Sequence, residues 1–243
     1  MLLLSLIVAW EVIVRAMDVR PYIMPAPSRI WDAFLRTRGT LPDHTWTTLQ
    51  EAIVGIVIGA AIGVVIASLL ASVPLVRRVL YPPLIVSQVI PMIVLAPLLV
   101  IWFGLGMTPK VVVVALITVF PVVISTADAL LSADQDLIAL VRSMGANRLQ
   151  VLWHVLIPSA IPAFFAGLKI AATYAIAGAV IAEWVGASQG LGIYINRSTA
   201  AFQTDQVFVA VVIIAALSMA LFAVVQILSR LAAPWMYLRE GNR

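Results

Sequence analysis

Long apolar stretches separated by short polar breaks dominate the chain. Six stand out, at residues 2–17, 49–71, 84–103, 111–127, 161–185 and 207–231. Most approach the ~20 residues that a helix needs to cross a hydrocarbon core about 30 Å thick. The pattern predicts an all-α, polytopic membrane protein with about six transmembrane helices, forming one domain over residues 1–243. The first stretch is the shortest and holds Glu11 and Arg15. A cleaved signal peptide is the alternative reading there, but a basic n-region and an Ala-x-Ala site are both missing.

Between the fourth and fifth stretches lies the largest polar break of the later chain, residues 128–158. It reads as two short helices joined by a glycine. Ser132 with Gln135 forms one candidate capping box, and Asp134 and Asp136 put negative charge in the first turn, where the helix dipole favours it. Leu137, Ile138, Leu140, Val141 and Met144 follow at helical spacing. Gly145 can close that helix in a left-handed conformation. Asn147 with Gln150 forms a second candidate box. Leu149, Leu152, Trp153 and Leu156 give a second stripe that is expected to end at Pro158.

This break resembles the signature loop of the membrane subunits of binding-protein-dependent ABC importers: Glu-Ala-Ala, three residues, Gly, nine residues, an aliphatic, one residue, then Leu-Pro. Gly145, Val155, Ile157 and Pro158 fall at the matching positions. The leading glutamate is replaced by Ala139, which leaves its role absent or taken by Asp136, one turn earlier. The resemblance implies a type I importer permease fold and a cytoplasmic coupling loop at 128–158, with Asp136, Ala139, Arg142, Ser143, Met144, Gly145, Ala146 and Pro158 contacting an ATP-hydrolysing partner. Charge alone leaves orientation open. Lysine and arginine in short loops count seven on one side, including Arg239 and Arg243, against six on the other. An amphipathic pair lying on the lipid surface and a DNA-reading helix pair are the other readings of the break. The pair's two arginines give little support to the second.

Further pieces fall in the family's order. Met24-Pro-Ala-Pro-Ser28, Ala96-Pro97-Leu98-Leu99, Trp102-Phe103-Gly104-Leu105-Gly106 and Glu183-Trp184-Val185-Gly186-Ala187-Ser188 with Gly190-Leu191-Gly192 look like the subgroup importing nitrate, sulfonates, taurine and pyrimidine precursors of thiamine. The resemblance implies several partners: two ATPase subunits carrying ATP and Mg, a second permease copy, a solute-binding protein and the lipid of an inner membrane. It implies no nucleic acid.

Residue chemistry within the spans adds detail. Gly55, Gly59 and Gly63 share one helix face and predict close helix packing. Pro91 and Pro97 interrupt the third stretch, and backbone groups freed in this way are tolerated where protein or water satisfies them. That places Ser87, Gln88, Pro91 and Met92, with Tyr174 and Glu183, as candidates to line a translocation path. Lys169 and Glu183 lie fourteen residues apart, about 21 Å along a helix, so they cannot pair. Lys169 is expected to snorkel to the cytoplasmic interface and Glu183 to sit at the outer mouth.

Composition narrows the function classes. The 243 residues are 63% hydrophobic and 11% charged with no cysteine, against about 25% charged in ordinary soluble domains. Disulfides and thiol chemistry are excluded. No Gly-x-x-x-x-Gly-Lys-Ser/Thr loop occurs, so energy would come from a partner and the chain itself would bind no cofactor. Gly186-Ala-Ser-Gln-Gly190 mimics a hydrolase elbow but lacks the preceding strand. Two distant histidines make no metal cluster. A secondary transporter or small channel remains the alternative, with Glu11, Glu51 and Glu183 as its only candidate coupling acids.

Overall fold

The computed structural model describes residues 2–235; Arg239 and Arg243 of the charge tally lie outside the described residues. Among the described residues every regular element is helical. In chain order they are α1 (Leu2–Ala16), α2 (Pro27–Thr37), α3 (Leu41–Ser72), α4 (Pro74–Val89), α5 (Met92–Phe103), α6 (Thr108–Leu131), α7 (Gln135–Ser143) and α8 (Arg148–Val151). A π-helical turn, Leu152–Leu156, leads into α9 (Ile157–Glu183), followed by α10 (Leu191–Ala200) and α11 (Thr204–Ala232).

Four segments are single helices long and apolar enough to span a membrane: α3, α6, the α8–α9 run and α11. The predicted third span is not one rod. It is the pair α4 and α5, bent by 103°. The break falls at Ile90-Pro91, both extended, because a residue before proline is pushed out of the helical region and proline cannot donate to the turn behind it. Counted together, that pair is a fifth crossing. At 15 residues, α1 falls below the usual spanning length of about 17–25.

The glycine ridge of α3 explains its closest contact. Methyl groups at Gly59 and Gly63 would come within 2.6 Å of Thr118 Cβ and 2.8 Å of Val122 Cγ1. A third at Gly55 would strike Val114. Both helices therefore ascend together in the same direction. On the other flank of α6, Gly167 of α9 meets Pro121 and Gly178 meets Ile117, so α9 runs antiparallel. Parallel α3 and α6 need a return crossing, and the bent pair supplies it. Leu84 packs near Leu70 and Val123 at one end, whereas Leu99 packs with Val113 and Ala182 at the other.

The core of α3, α6, α9 and α11 is built from small and branched residues such as Ala52, Val114, Val122, Ala172, Ala175, Ile176 and Val225. Large apolar side chains including Ile62, Ile101, Phe222 and Leu228 point outward. A water-soluble globule reverses that arrangement; in lipid, close packing of small residues holds helices together because tails solvate the large ones equally well.

Candidate coupling and translocation site

At one end of the bundle, α7 and α8 form a hairpin whose closure follows from three residues. Asp134, not Ser132, caps α7: its Oδ1 accepts from the backbone N–H of Asp136 at 2.9 Å and of Leu137 at 3.2 Å. Ser132 is unavailable because α6 runs on to Leu131, and the serine hydroxyl turns back to the Asp128 carbonyl at 2.6 Å. Gly145 has φ +89°, and the amides around it close α7: Ala146 N–H donates to Val141 O at 3.2 Å and Gly145 N–H to Arg142 O at 2.9 Å. This pair of bonds is a Schellman motif, which needs a left-handed residue at the position that glycine holds. The second box forms as its sequence implies. Asn147 N–H donates to Gln150 Oε1 at 2.8 Å, and Gln150 N–H donates to Asn147 Oδ1 at 2.9 Å.

The single apolar stripe read for α7 divides in two. Ile138 and Val141 turn inward and pack with Ala133, Val151 and Val155. Leu137, Leu140 and Met144 point out, 43%, 57% and 79% exposed, and Leu149 and Trp153 after the turn are exposed as well. Asp136, Ala139, Arg142 and Ser143 are exposed too, while Ala146 is half-buried. Helix does not end at Pro158. The wide π turn, with Ile157 N–H bonded to Leu152 O, accommodates a proline that has no donor of its own. One helical run therefore extends over 36 residues, Arg148–Glu183, or about 54 Å at 1.5 Å per residue.

Part-way along the bundle, Gln88, Met92 and Tyr174 line one open groove of about 470 Å³ together with Phe120, Pro121 and Ser125. Ser87 faces a different, apolar cleft between α3, α4 and α6. Pro91 caps α5 at the bend. Lys169, half-buried, donates from its Nζ to Gln226 Oε1 of α11 at 2.8 Å. Glu183 is fully buried at the end opposite the hairpin, and its carboxyl accepts from the Thr48 hydroxyl at 2.6 Å and from Gly192 N–H. Nearby, Lys110 and Glu51 form a buried ion pair at 3.0 Å. Sequence reading missed Thr48, His44 and this pair, whose partners lie on different helices. Among the described residues no group of three potential ligands could hold a metal ion.

The description "Binding-protein-dependent transport system inner membrane component" matches residues 55–237. The chain belongs to this family. It is accordingly a multi-pass inner-membrane permease subunit of an ABC importer, a transport component whose ATPase activity resides in a partner subunit. Among similar proteins, the formylaminopyrimidine transport permease protein ThiX of Halalkalibacterium halodurans is 36% identical, covering 96% of this chain and 93% of that protein. The riboflavin transport system permease protein RibX of Chloroflexus aurantiacus is also 36% identical, over 96% and 88% of the two chains. The taurine transport system permease protein TauC of Escherichia coli is 28% identical, over 95% and 86%. In fold, the permease resembles a chain of the inward-facing MetNI methionine ABC transporter with TM-score 0.67 at 22% identity, covering 78% of this chain and 94% of that one.

Proposed function

We propose that the α7–α8 hairpin lies on the cytoplasmic side and is the surface on which the ATPase docks. The outward stripe of Leu137, Leu140 and Met144 on α7, with Leu149 and Trp153 also exposed after the turn, carries this reading. An exposed apolar stripe on a helix held by its Asp134 cap and the Schellman closure, with the next helix capped by the Asn147–Gln150 box, is suited to a groove on another protein. Asp136, Ala139, Arg142 and Ser143 form the polar rim, and Gly145, Ala146 and Pro158 set the angle between hairpin and rod. Two such permease copies face each other across the groove of Gln88, Met92 and Tyr174, with two ATPases holding ATP and Mg below and a solute-binding protein above. Residues 1–243 act as one permease domain, and Pro91 permits the bend that keeps the groove open.

The solute is a small polar molecule: a pyrimidine precursor of thiamine or a sulfonate, as the names of the formylaminopyrimidine and taurine relatives suggest, or a nitrate-like anion, as the sequence resemblance implies. The acids required by the secondary-transporter alternative have other partners. Glu11 accepts from Ser28 N–H and its hydroxyl at the start of α2, Glu51 pairs with Lys110, and Glu183 holds α10. The test is co-purification of an ATPase with the tagged permease from its native membrane, followed by ATP-dependent uptake in proteoliposomes. Loss of the ATPase from a Leu140→Asp, Met144→Asp variant that still inserts supports the docking surface; retention refutes it.

A further inference from the structure

The start of α10 is capped in an unusual way, and the arrangement has a consequence for transport. A helix begins with backbone N–H groups that lack intrahelical partners, and the N-cap side chain usually serves one of them. Here the N-cap is Gly190, which has no side chain, at φ +125°. Three successive amides are instead served from two other helices. Gly190 N–H donates to His44 Nδ1 at 3.0 Å, Leu191 N–H to Thr48 Oγ1 at 2.9 Å, and Gly192 N–H to Glu183 Oε2. The Thr48 hydroxyl in turn donates to Glu183 Oε1.

The backbone closes directly over the carboxyl. A methyl group at Gly190 would overlap the Glu183 carboxyl carbon, and one at Gly192 would lie 2.9 Å from Oε2. The Gly190-Leu191-Gly192 sequence thus follows from where Glu183 sits. The His44 ring packs on Tyr194 of α10 at 5.5 Å between centroids, reinforcing the contact. Burial raises the Tyr194 phenol above its ordinary value, so that ring stays neutral. One turn below Thr48, Glu51 ties α3 to Lys110 in the first turn of α6. Four helices are therefore locked together at this end.

Glu183 is also the last residue of the helical run that begins at the hairpin. We infer that Glu183 is a positioning residue for transport: a latch that fastens the far end of the α8–α9 rod to α10 and α3. Through it, displacement of the hairpin moves the loop 184–190 and α10 as one body with the rod. The acceptor for Gly192 N–H sits at the tip of the rod rather than at the N-cap position. This inference rests on the hairpin being the ATPase-docking element.

The experiment uses the full permease with its ATPase in proteoliposomes and compares wild type with Glu183→Ala, Glu183→Gln and Thr48→Val. The chain has no cysteine, so cysteines at exposed Thr173 of α9 and Asn196 of α10 carry spin labels that read the α9–α10 distance without background. In wild type that distance is narrow and unchanged between nucleotide-free and ATP-bound states. In Glu183→Ala it broadens, and uptake per ATP hydrolysed falls about tenfold or more, as for lost buried hydrogen bonds. Glu183→Gln keeps an acceptor for Gly192 N–H and recovers to within about threefold of wild type. Thr48→Val, close to threonine in shape, follows Glu183→Ala and decides the matter if the alanine variant does not accumulate. Wild-type coupling in both Glu183→Ala and Thr48→Val overturns the latch, as does a wild-type label distance that changes with nucleotide. Failure of wild type to show ATP-driven uptake defeats the docking reading instead, and the label distances in the permease alone then decide the latch.

Discussion

Gly145 offers a quantitative test of the hairpin, because its environment separates backbone strain from steric clash. Its φ of +89° lies in the left-handed region, and no other part of the chain comes within 4 Å of where a side chain would begin. A substitution there therefore acts through the backbone alone. An L residue held in this region costs about 1–2 kcal/mol, and asparagine tolerates it best. A β-branched residue resists it most, so Gly145→Val should also forfeit the two closing bonds, each contributing about 0.5–1.5 kcal/mol. The sum, about 2–5 kcal/mol, lowers the population of the closed hairpin by about 30-fold or more. Gly145→Asn should cost under about 1 kcal/mol. Both variants should insert normally, since no packed neighbour is displaced. The assay is ATP-driven uptake at matched protein levels, with hydrogen exchange at the Arg142–Ala146 amides as a direct readout of closure. Strong loss in the valine variant and near-normal uptake in the asparagine variant are expected. Equal uptake by the two would refute the claim that the left-handed closure sets the hairpin.

Other positions give independent checks. Gly59→Ala places a methyl group 2.6 Å from Thr118 Cβ, and such overpacking should destabilise by about 1–3 kcal/mol, visible as a lower unfolding temperature in detergent. Lys110→Met strands Glu51 in the interior and should cost about 3–5 kcal/mol, whereas Lys110→Met with Glu51→Leu should regain most of that loss; unfolding of the single and double variants reads the difference, and equal stability would contradict a buried pair. Gln88→Leu should alter uptake rate or solute preference while leaving ATPase co-purification intact, and unchanged transport would remove Gln88 from the path.

Local chemistry was legible in the sequence. Each of the six apolar stretches is helical, the glycine ridge of α3 packs as its spacing implies, and Gly145 and the Asn147–Gln150 box close the hairpin through residues at most five apart. Where reading failed locally, two nearby groups were competing. Ser132 and Asp134 both suit an N-cap, and the length of α6 decided between them. Pro158 reads as a stop, but a π turn upstream carried the helix through it.

The sequence by itself determined that the chain lives in a bilayer, where the long apolar helices and the hairpin lie, but not the short helices α2 and α10, because hydropathy, capping and left-handed turns act among neighbours along the chain. Only the tertiary structure decided how the polar groups inside the bundle are used. Thr48 and Glu183 are 135 residues apart, and Lys169 and Gln226 are 57 apart. No local pattern pairs them. In an apolar interior a buried carboxyl or ammonium needs a partner, and which partner it finds depends on which helices the glycine faces have brought side by side.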